Sequence, residues 1–148
     1  GGTGVLGGAM AQALGEAGAK VAIIGRRKEL AEKKANEIIQ AGGEAIGVPA
    51  DVLNLEQLDQ ACDTIIKRWG TVDILVNGAG GNMPGATIQP DKTIFDINFT
   101  DLKGVIDLNL MGTIYPTHVF GQVMAKNKKG SIVNISSMTA FQAQTRVM

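Results

Sequence analysis

The sequence predicts an α/β domain in three layers, a doubly wound parallel sheet with helices on both faces. Three observations carry this. Short apolar runs alternate with amphipathic stretches along the chain, glycines mark the connections, and the runs are continuously apolar, as strands covered on both faces require. The 148 residues suffice for one such domain with a core, and 1–148 read as a single domain. Fourteen basic residues balance fourteen acidic ones, so no nucleic acid or membrane surface is expected as a charge-driven partner. The lone Cys62 cannot form an internal disulfide, which fits a reducing, cytoplasmic compartment. No apolar run is long enough to span a bilayer. With one histidine and no clustered acids, no metal site is expected.

The elements follow in order. Residues 1–8 are rich in glycine and run into a helix over 9–17, closed at Gly18. Val21-Ala22-Ile23-Ile24 is the next strand, ending at Gly25-Arg26-Arg27. Residues 28–40 have helical periodicity, with either Leu30, Lys34, Ile38 and Ala41 or Ala31, Ala35 and Ile38 on the inner side. Residues 44–48 form a strand. Asn54 caps a helix over 55–69 that buries Leu58, Ala61, Ile65 and Ile66 and stops at Gly70, with Cys62 inside it as a packing residue. Residues 72–76 form a strand, and 82–99, with Pro84, Gly85 and Pro90, form a loop. A long helix is expected over 102–126, capped by Asp101 and bent or crowded by Pro116. Residues 131–135 are the last strand. The chain opens in a turn and stops at Arg146-Val147-Met148 without a closing signal. A partial domain is therefore expected, lacking its first strand and its C-terminal catalytic part.

In parallel sheets, ligands bind beyond the carboxyl ends of the strands. Gly2, Gly4 and Gly7 fit the spacing Gly-x-Gly-x-x-Gly just before a helix, where free N–H groups and the helix dipole suit a pyrophosphate. Asn77-Gly78-Ala79-Gly80 leaves room for a flat ligand. Asp51 offers a carboxylate to an adenine amino group, or a cap to the next helix. Arg26 and Arg27 stand where an acid would bind a ribose 2′-hydroxyl, and arginine favours a 2′-phosphate. Ser137 and Asn109 are the candidates for reaction chemistry: a strand-end hydroxyl and an amide within an apolar helix. Asn109 is either a structural bridge or part of a proton path. His118 in the same helix reads as structural, and no Ser-His-Asp grouping is evident.

Taken together, these residues resemble the short-chain dehydrogenase/reductase family. The likeness rests on the glycine-rich start, Asp51-Val52, Asn77-Gly78-Ala79-Gly80 (the family usually has a second Asn at the place of Gly78), Asn109 in Asn-Leu-Met-Gly-Thr, and residues 130–137. It implies a Rossmann fold, and an oxidoreductase that passes hydride between NAD or NADP and a carbonyl or secondary alcohol of a small-molecule substrate. It implies Gly1 and Gly7 as the first and last glycines of the family's turn, with Val5 where the middle glycine belongs. The implied cofactor-binding set is Gly1, Gly2, Thr3, Val5, Leu6, Gly7, Gly25, Arg26, Arg27, Asp51, Val52, Asn77, Gly78, Ala79, Gly80 and Asn109, with Asn109 and Ser137 catalytic.

The family's Tyr-x-x-x-Lys is expected about a dozen residues after Ser137, past Met148. Tyr115 is followed four residues later by Val119 and does not supply it. Without that proton donor the 148 residues alone are expected to be inactive. Residues 3–11, 77–82 and 135–141, with the loop over 81–99, are similar to the D-mannonate oxidoreductase (fructuronate reductase) branch. Other readings are a ketoacyl or steroid-like substrate, or a non-catalytic nucleotide-binding module. The resemblance also implies a homo-oligomer, dimer or tetramer, built with the 102–126 helix.

Overall fold

The structure is a computed structural model and describes residues 1–142. Its order is α1 (Val5–Glu16), β1 (Lys20–Gly25), α2 (Lys28–Gln40), β2 (Glu44–Pro49), α3 (Leu55–Trp69), β3 (Ile74–Asn77), α4 (Phe99–Ile106), α5 (Gly112–Asn127) and β4 (Ser131–Asn134). Short 3-10 turns fall at Pro84–Ala86, Ile94–Asp96 and Met138–Ala140.

All strand pairs are parallel: β1 with β2, and β3 with β4. Residue parity in β1 explains the layering. Val21 and Ile23 enter one core with Ala11 of α1, Ala31, Ala35 and Ile38 of α2, and Ala45 of β2. Ala22 and Ile24 face the opposite way, onto a core of Leu58, Ala61, Cys62 and Ile65 of α3 and Val119, Phe120 and Met124 of α5. Alternate side chains of a strand point to opposite faces, so a continuously apolar run serves two helix layers. The fold is the expected three-layer α/β, Rossmann-like architecture. On α2 the inner stripe is the Ala31, Ala35, Ile38 alternative, not the one through Leu30 and Lys34.

The sheet is not continuous among the described residues. β1 and β3 are not bonded to one another, and a slot of about 630 Å³ separates the two pairs. Residues 21–24 and 74–76, with Leu58, Ile65 and Phe120, line it.

Expectations about two of the helices need correction. α1 begins at Val5, not at residue 9. The single long helix is instead three pieces: α4, a π turn at Asp107–Met111, and α5. Asn98, rather than Asp101, caps the first of them, its Oδ1 accepting from the backbone N–H of Thr100 and Asp101. Pro116 is accommodated inside α5, and the irregularity lies upstream of it. Its cause is local. Asn109 Nδ2 donates to the Val105 carbonyl at 2.8 Å, the acceptor that its own backbone N–H would use in an α-helix. The ladder widens there into i→i+5 spacing. The predicted cap of α3 is present, Asn54 Oδ1 accepting from Gln57 N at 3.0 Å, and Gly70 closes that helix at φ 82°.

Candidate functional site

The site is built at the carboxyl ends of the strands, where the glycine turn meets the segment after β3. Residues 1–4 form a tight turn closed by Gly4 N donating to the Gly1 carbonyl at 3.0 Å, and α1 starts at once. A Cβ on Gly1 would overlap the Gly78 carbonyl, and one on Gly7 would overlap the Gly1 carbonyl. Glycine at these two places is therefore a packing requirement: the turn rests directly on residues 78–79, and α1 directly on the turn. Val5 and Leu6 are exposed at 91% and 72%, so the substitution at the middle-glycine place points away from this contact. The amide nitrogens of the first turn of α1 have no partner within the helix, which leaves an anion-accepting end beside the floor.

The floor is tied at both ends. Asn77, at the end of β3, is a buried polar residue at 5% exposure. Its Nδ2 donates to Asn134 Oδ1 at 2.8 Å and to Thr117 Oγ1 at 2.9 Å. β3, β4 and α5 are thus joined by one amide, as a buried amide requires. At the other end Asn109 clamps Gly81. Its Oδ1 accepts from Gly81 N at 3.1 Å and its Nδ2 donates to Gly81 O at 2.7 Å. Asn109 is exposed, not buried as a polar residue in an apolar helix suggests, and of its two readings the side chain performs the structural bridge. Gly80 lies against it: a Cβ there would be 2.7 Å from Asn109 Oδ1.

The other predicted residues fall as follows. Gly25 and Asp51 are neighbours at adjacent strand ends, because Ala50 N donates to the Gly25 carbonyl at 3.1 Å. Asp51 Oδ1 accepts from Leu53 N at 3.0 Å, an Asx turn ahead of α3, whose cap is Asn54 and not Asp51, while its Oδ2 carries no internal hydrogen bond among the described residues. Val52 packs on the first residue of α5: a Cβ on Gly112 would stand 3.1 Å from Val52 Cγ2. Arg26 and Arg27 are exposed, and Arg27 precedes α2 as its cap residue. Gly2 lies over β1, its would-be Cβ 3.2 Å from Ile23 Cγ2.

Ser137 follows β4 in extended backbone, its Oγ accepting from Thr139 N at 3.2 Å and Thr139 Oγ1 at 2.8 Å. The Thr139 N–H uses one of its lone pairs, and the hydroxyl can rotate to donate to an oxygen of a bound molecule. Ile135, two residues before, approaches the floor at Gly78. No hydrogen bond joins Ser137 to Asn109 among the described residues. His118 is exposed on α5. Cys62 is buried, and burial pushes its thiol up, with Asp63 and Asp59 adding to the effect. That is the state of a packing residue, not of a nucleophile. No group of three metal-ligating side chains occurs among the described residues. None of their helices is long and apolar enough to cross a membrane.

Sequence reasoning passed over Thr117 and Asn134 as partners of the site, and read Asp101 only as a helix cap. Asn134 had a signal: β3 and β4 each end in Asn, and parallel register sets Asn77 opposite Asn134. Asp101 Oδ2 accepts from Gly85 N at 3.0 Å and staples the 82–98 loop to α4. Nothing local in the sequence marks that contact.

Across residues 1–148 the chain matches the family model described as short chain dehydrogenase. The chain belongs to the short-chain dehydrogenase family. It is 38% identical over 155 residues to the uncharacterised oxidoreductase UxuB of Bacillus subtilis, covering 99% of this chain and 56% of that protein. A Haemophilus influenza protein, provisionally named a D-mannonate oxidoreductase and crystallised with bound NAD, superposes at TM-score 0.88 and 38% identity, over 99% of this chain and 56% of that one. A metagenomic short-chain oxidoreductase in complex with NADP superposes at TM-score 0.84 and 26% identity, over 99% of this chain and 63% of that one. The chain thus spans about half the length of these first two relatives.

Proposed function

We propose that this chain is the cofactor-binding portion of an NAD(P)-dependent oxidoreductase that interconverts a carbonyl and a secondary alcohol on a sugar acid of the D-mannonate type. One observation carries the reading. The glycine turn is seated directly on residues 78–79, where a Cβ on Gly1 would overlap the Gly78 carbonyl, and α1 starts at once from the turn with no side chain capping its first N–H groups. Such an arrangement presents backbone N–H groups, with nothing in front of them, to a pyrophosphate. The cradle and the small-residue floor fit a nicotinamide dinucleotide, which supplies the hydride acceptor or donor when bound.

This chain's own residues have distinct tasks. The turn at Gly1, Gly2, Thr3 and Gly7, with Val5 and Leu6 at the start of α1, holds the phosphates. Asp51 and Val52 flank the adenine, and Asn77 to Gly80 form the floor. Ser137 donates its hydroxyl proton to the substrate oxygen. Asn109 fixes the floor through Gly81 and leaves its backbone carbonyl in the widened π turn, where Thr113 Oγ1 approaches it at 3.1 Å. The alkoxide of hydride transfer needs a proton donor, and the reading assigns that to a Tyr-x-x-x-Lys segment following residue 148.

The sugar-acid assignment is supported by the provisionally named Haemophilus relative and by the folded 82–98 loop beside the floor. A segment preceding Gly1 entering the slot between β1 and β3 would join the two strand pairs, consistent with a first strand. Ile106, Leu110 and Ile114, exposed at four-residue intervals, support a homo-oligomer contact. The expected compartment is the cytoplasm, in keeping with the lone buried thiol.

The test is turnover of D-mannonate by the full-length protein with NAD and with NADP, followed by the absorbance of the reduced nicotinamide. Turnover of a ketoacyl substrate in place of D-mannonate would reject the substrate class. No turnover with any alcohol or carbonyl would leave a nucleotide-binding module. Light scattering showing a monomer at micromolar concentration would reject the oligomer.

A further inference from the structure

A sugar acid carries several hydroxyls, and Ser137 meets only the oxygen that reacts. The strand register shows which segment stands near the others. Asn77 pairs with Asn134, and three positions past this pair come Gly80 and Ser137. Asn82 follows Gly80 by two residues, a span of at most about 7 Å. The segment beginning at Gly81 thus leaves the sheet beside the serine's own.

That segment is zipped at every second residue onto α4 and the π turn that continues it. Gly81 is held by Asn109 through two hydrogen bonds. Met83 packs on Gly104, where a Cβ would stand 2.8 Å from Met83 Cε and 3.0 Å from its Sδ. Gly85 donates its N–H to Asp101 Oδ2 at 3.0 Å, and its carbonyl accepts from Asn98 N at 2.9 Å. Met83 is extended, at φ −121° and ψ 142°, and successive residues of an extended chain face opposite ways. Asn82 accordingly takes no part in the zipper. It is exposed, and its Nδ2 donates to Thr87 Oγ1 at 3.0 Å while its Oδ1 accepts from Met83 N at 2.8 Å. Thr87 Oγ1 in turn approaches the Met83 carbonyl at 3.4 Å.

These contacts leave three places unclaimed among the described residues: one amide N–H, one lone pair on Asn82 Oδ1 and one on Thr87 Oγ1. A hydroxyl both donates and accepts, so two neighbouring hydroxyls match that set. A carboxylate only accepts, and meets a single donor there.

Resting on the sugar-acid reading, we propose that Asn82 and Thr87 form a specificity pair that binds a vicinal diol of the substrate, held in place by the zipper on α4. The pair recognises the hydroxylated part of the substrate and not its acid group. It therefore favours polyhydroxy acids over acids of the same length that lack the hydroxyls.

The test is steady-state kinetics of the full-length protein with D-mannonate, alongside amide hydrogen exchange at Gly81 and Gly85. Thr87→Val removes the hydroxyl at nearly constant shape, and Asn82→Ala removes the amide. Each should raise KM for D-mannonate about fivefold, the effect of one neutral hydrogen bond. A contact with a hydroxyl that does not react holds ground and transition states alike, so kcat and the cofactor KM should stay within about twofold. Thr87→Ser should restore the KM. Exchange at Gly81 and Gly85 should be unchanged in all three variants, because the zipper does not use these side chains.

An unchanged KM in either Thr87→Val or Asn82→Ala would overturn the pair and leave the oxidoreductase reading intact. A raised KM with faster exchange at Gly81 or Gly85 would make the two side chains supports of the loop and overturn the pair equally. No turnover of D-mannonate by the unmodified protein would overturn the sugar-acid reading, and the pair with it.

Discussion

Replacing Asn109 with alanine isolates the tie between the π turn and the cofactor floor. The side chain makes three contacts: two with Gly81 and one with the Val105 carbonyl. The last is not lost on substitution, because the backbone N–H of residue 109 can take over that carbonyl as the turn tightens toward α spacing. The two bonds to Gly81 are lost, at about 0.5–1.5 kcal/mol each. Residue 109 is exposed, so water replaces part of that and the lower end applies. Alanine's better helix propensity returns about 0.6 kcal/mol. The expected net destabilisation is only about 0.4 kcal/mol, read as a small shift of the urea midpoint at constant slope. The effect on the floor should be larger than the effect on the whole: Gly81 amide hydrogen exchange should accelerate selectively. An unchanged exchange rate at Gly81 would refute the reasoning, since it would mean that the clamp holds nothing in solution.

Other substitutions test the packing and the charges. Phe120 is 1% exposed, and Phe120→Ala should cost about 3 kcal/mol, the low end for a buried ring because Phe120 also borders the slot; a loss under about 1 kcal/mol would contradict the core assignment. Glu44 is held below the usual carboxylate range, first by Trp69 Nε1 donating at 2.6 Å and then by hydrogen bonding and charge from Lys20 and the charge of Arg68. A depressed carboxylate contributes stability above its unfolded pKa and loses it as pH falls through the folded one. Glu44→Gln should therefore flatten the acid limb of the stability profile below about pH 4.5, and an unaltered limb would refute the role. The Cys62 thiol, raised by burial, should resist a disulfide reagent at about pH 8 until denaturant is added; rapid reaction in the native state would contradict its place in the core.

Much of the architecture was legible because it depends on local patterns. The apolar runs of β1 and β2, the Asn54 cap and the Gly70 stop are short-range signals, and each appears in the structure. That the glycine turn and the residues after β3 come together was legible because topology gathers strand ends on one edge. What was not legible depends on contacts between distant segments. The π turn arises because one amide competes for a backbone carbonyl, and helical periodicity is too coarse to register an extra residue. The true start of α4 was missed by three residues because Asn98 and Asp101 are both good caps, and the tertiary bond from Gly85 N assigns Asp101 elsewhere. The contact of Thr3 with Gly25 spans 22 positions and two elements, and no residue pattern announces it. The Asn77 bridge lay between these cases, visible once β3 and β4 were in register.

The central claim is that the glycine turn and the floor it rests on hold a nicotinamide dinucleotide. The most direct measurement is hydrogen–deuterium exchange of the full-length protein, resolved by peptide, with and without NADP and NAD. The account predicts that cofactor slows exchange in the peptides containing residues 1–8, 25–27 and 77–81, and most strongly in the first. Protection confined to other segments, or none at saturating cofactor, would contradict it.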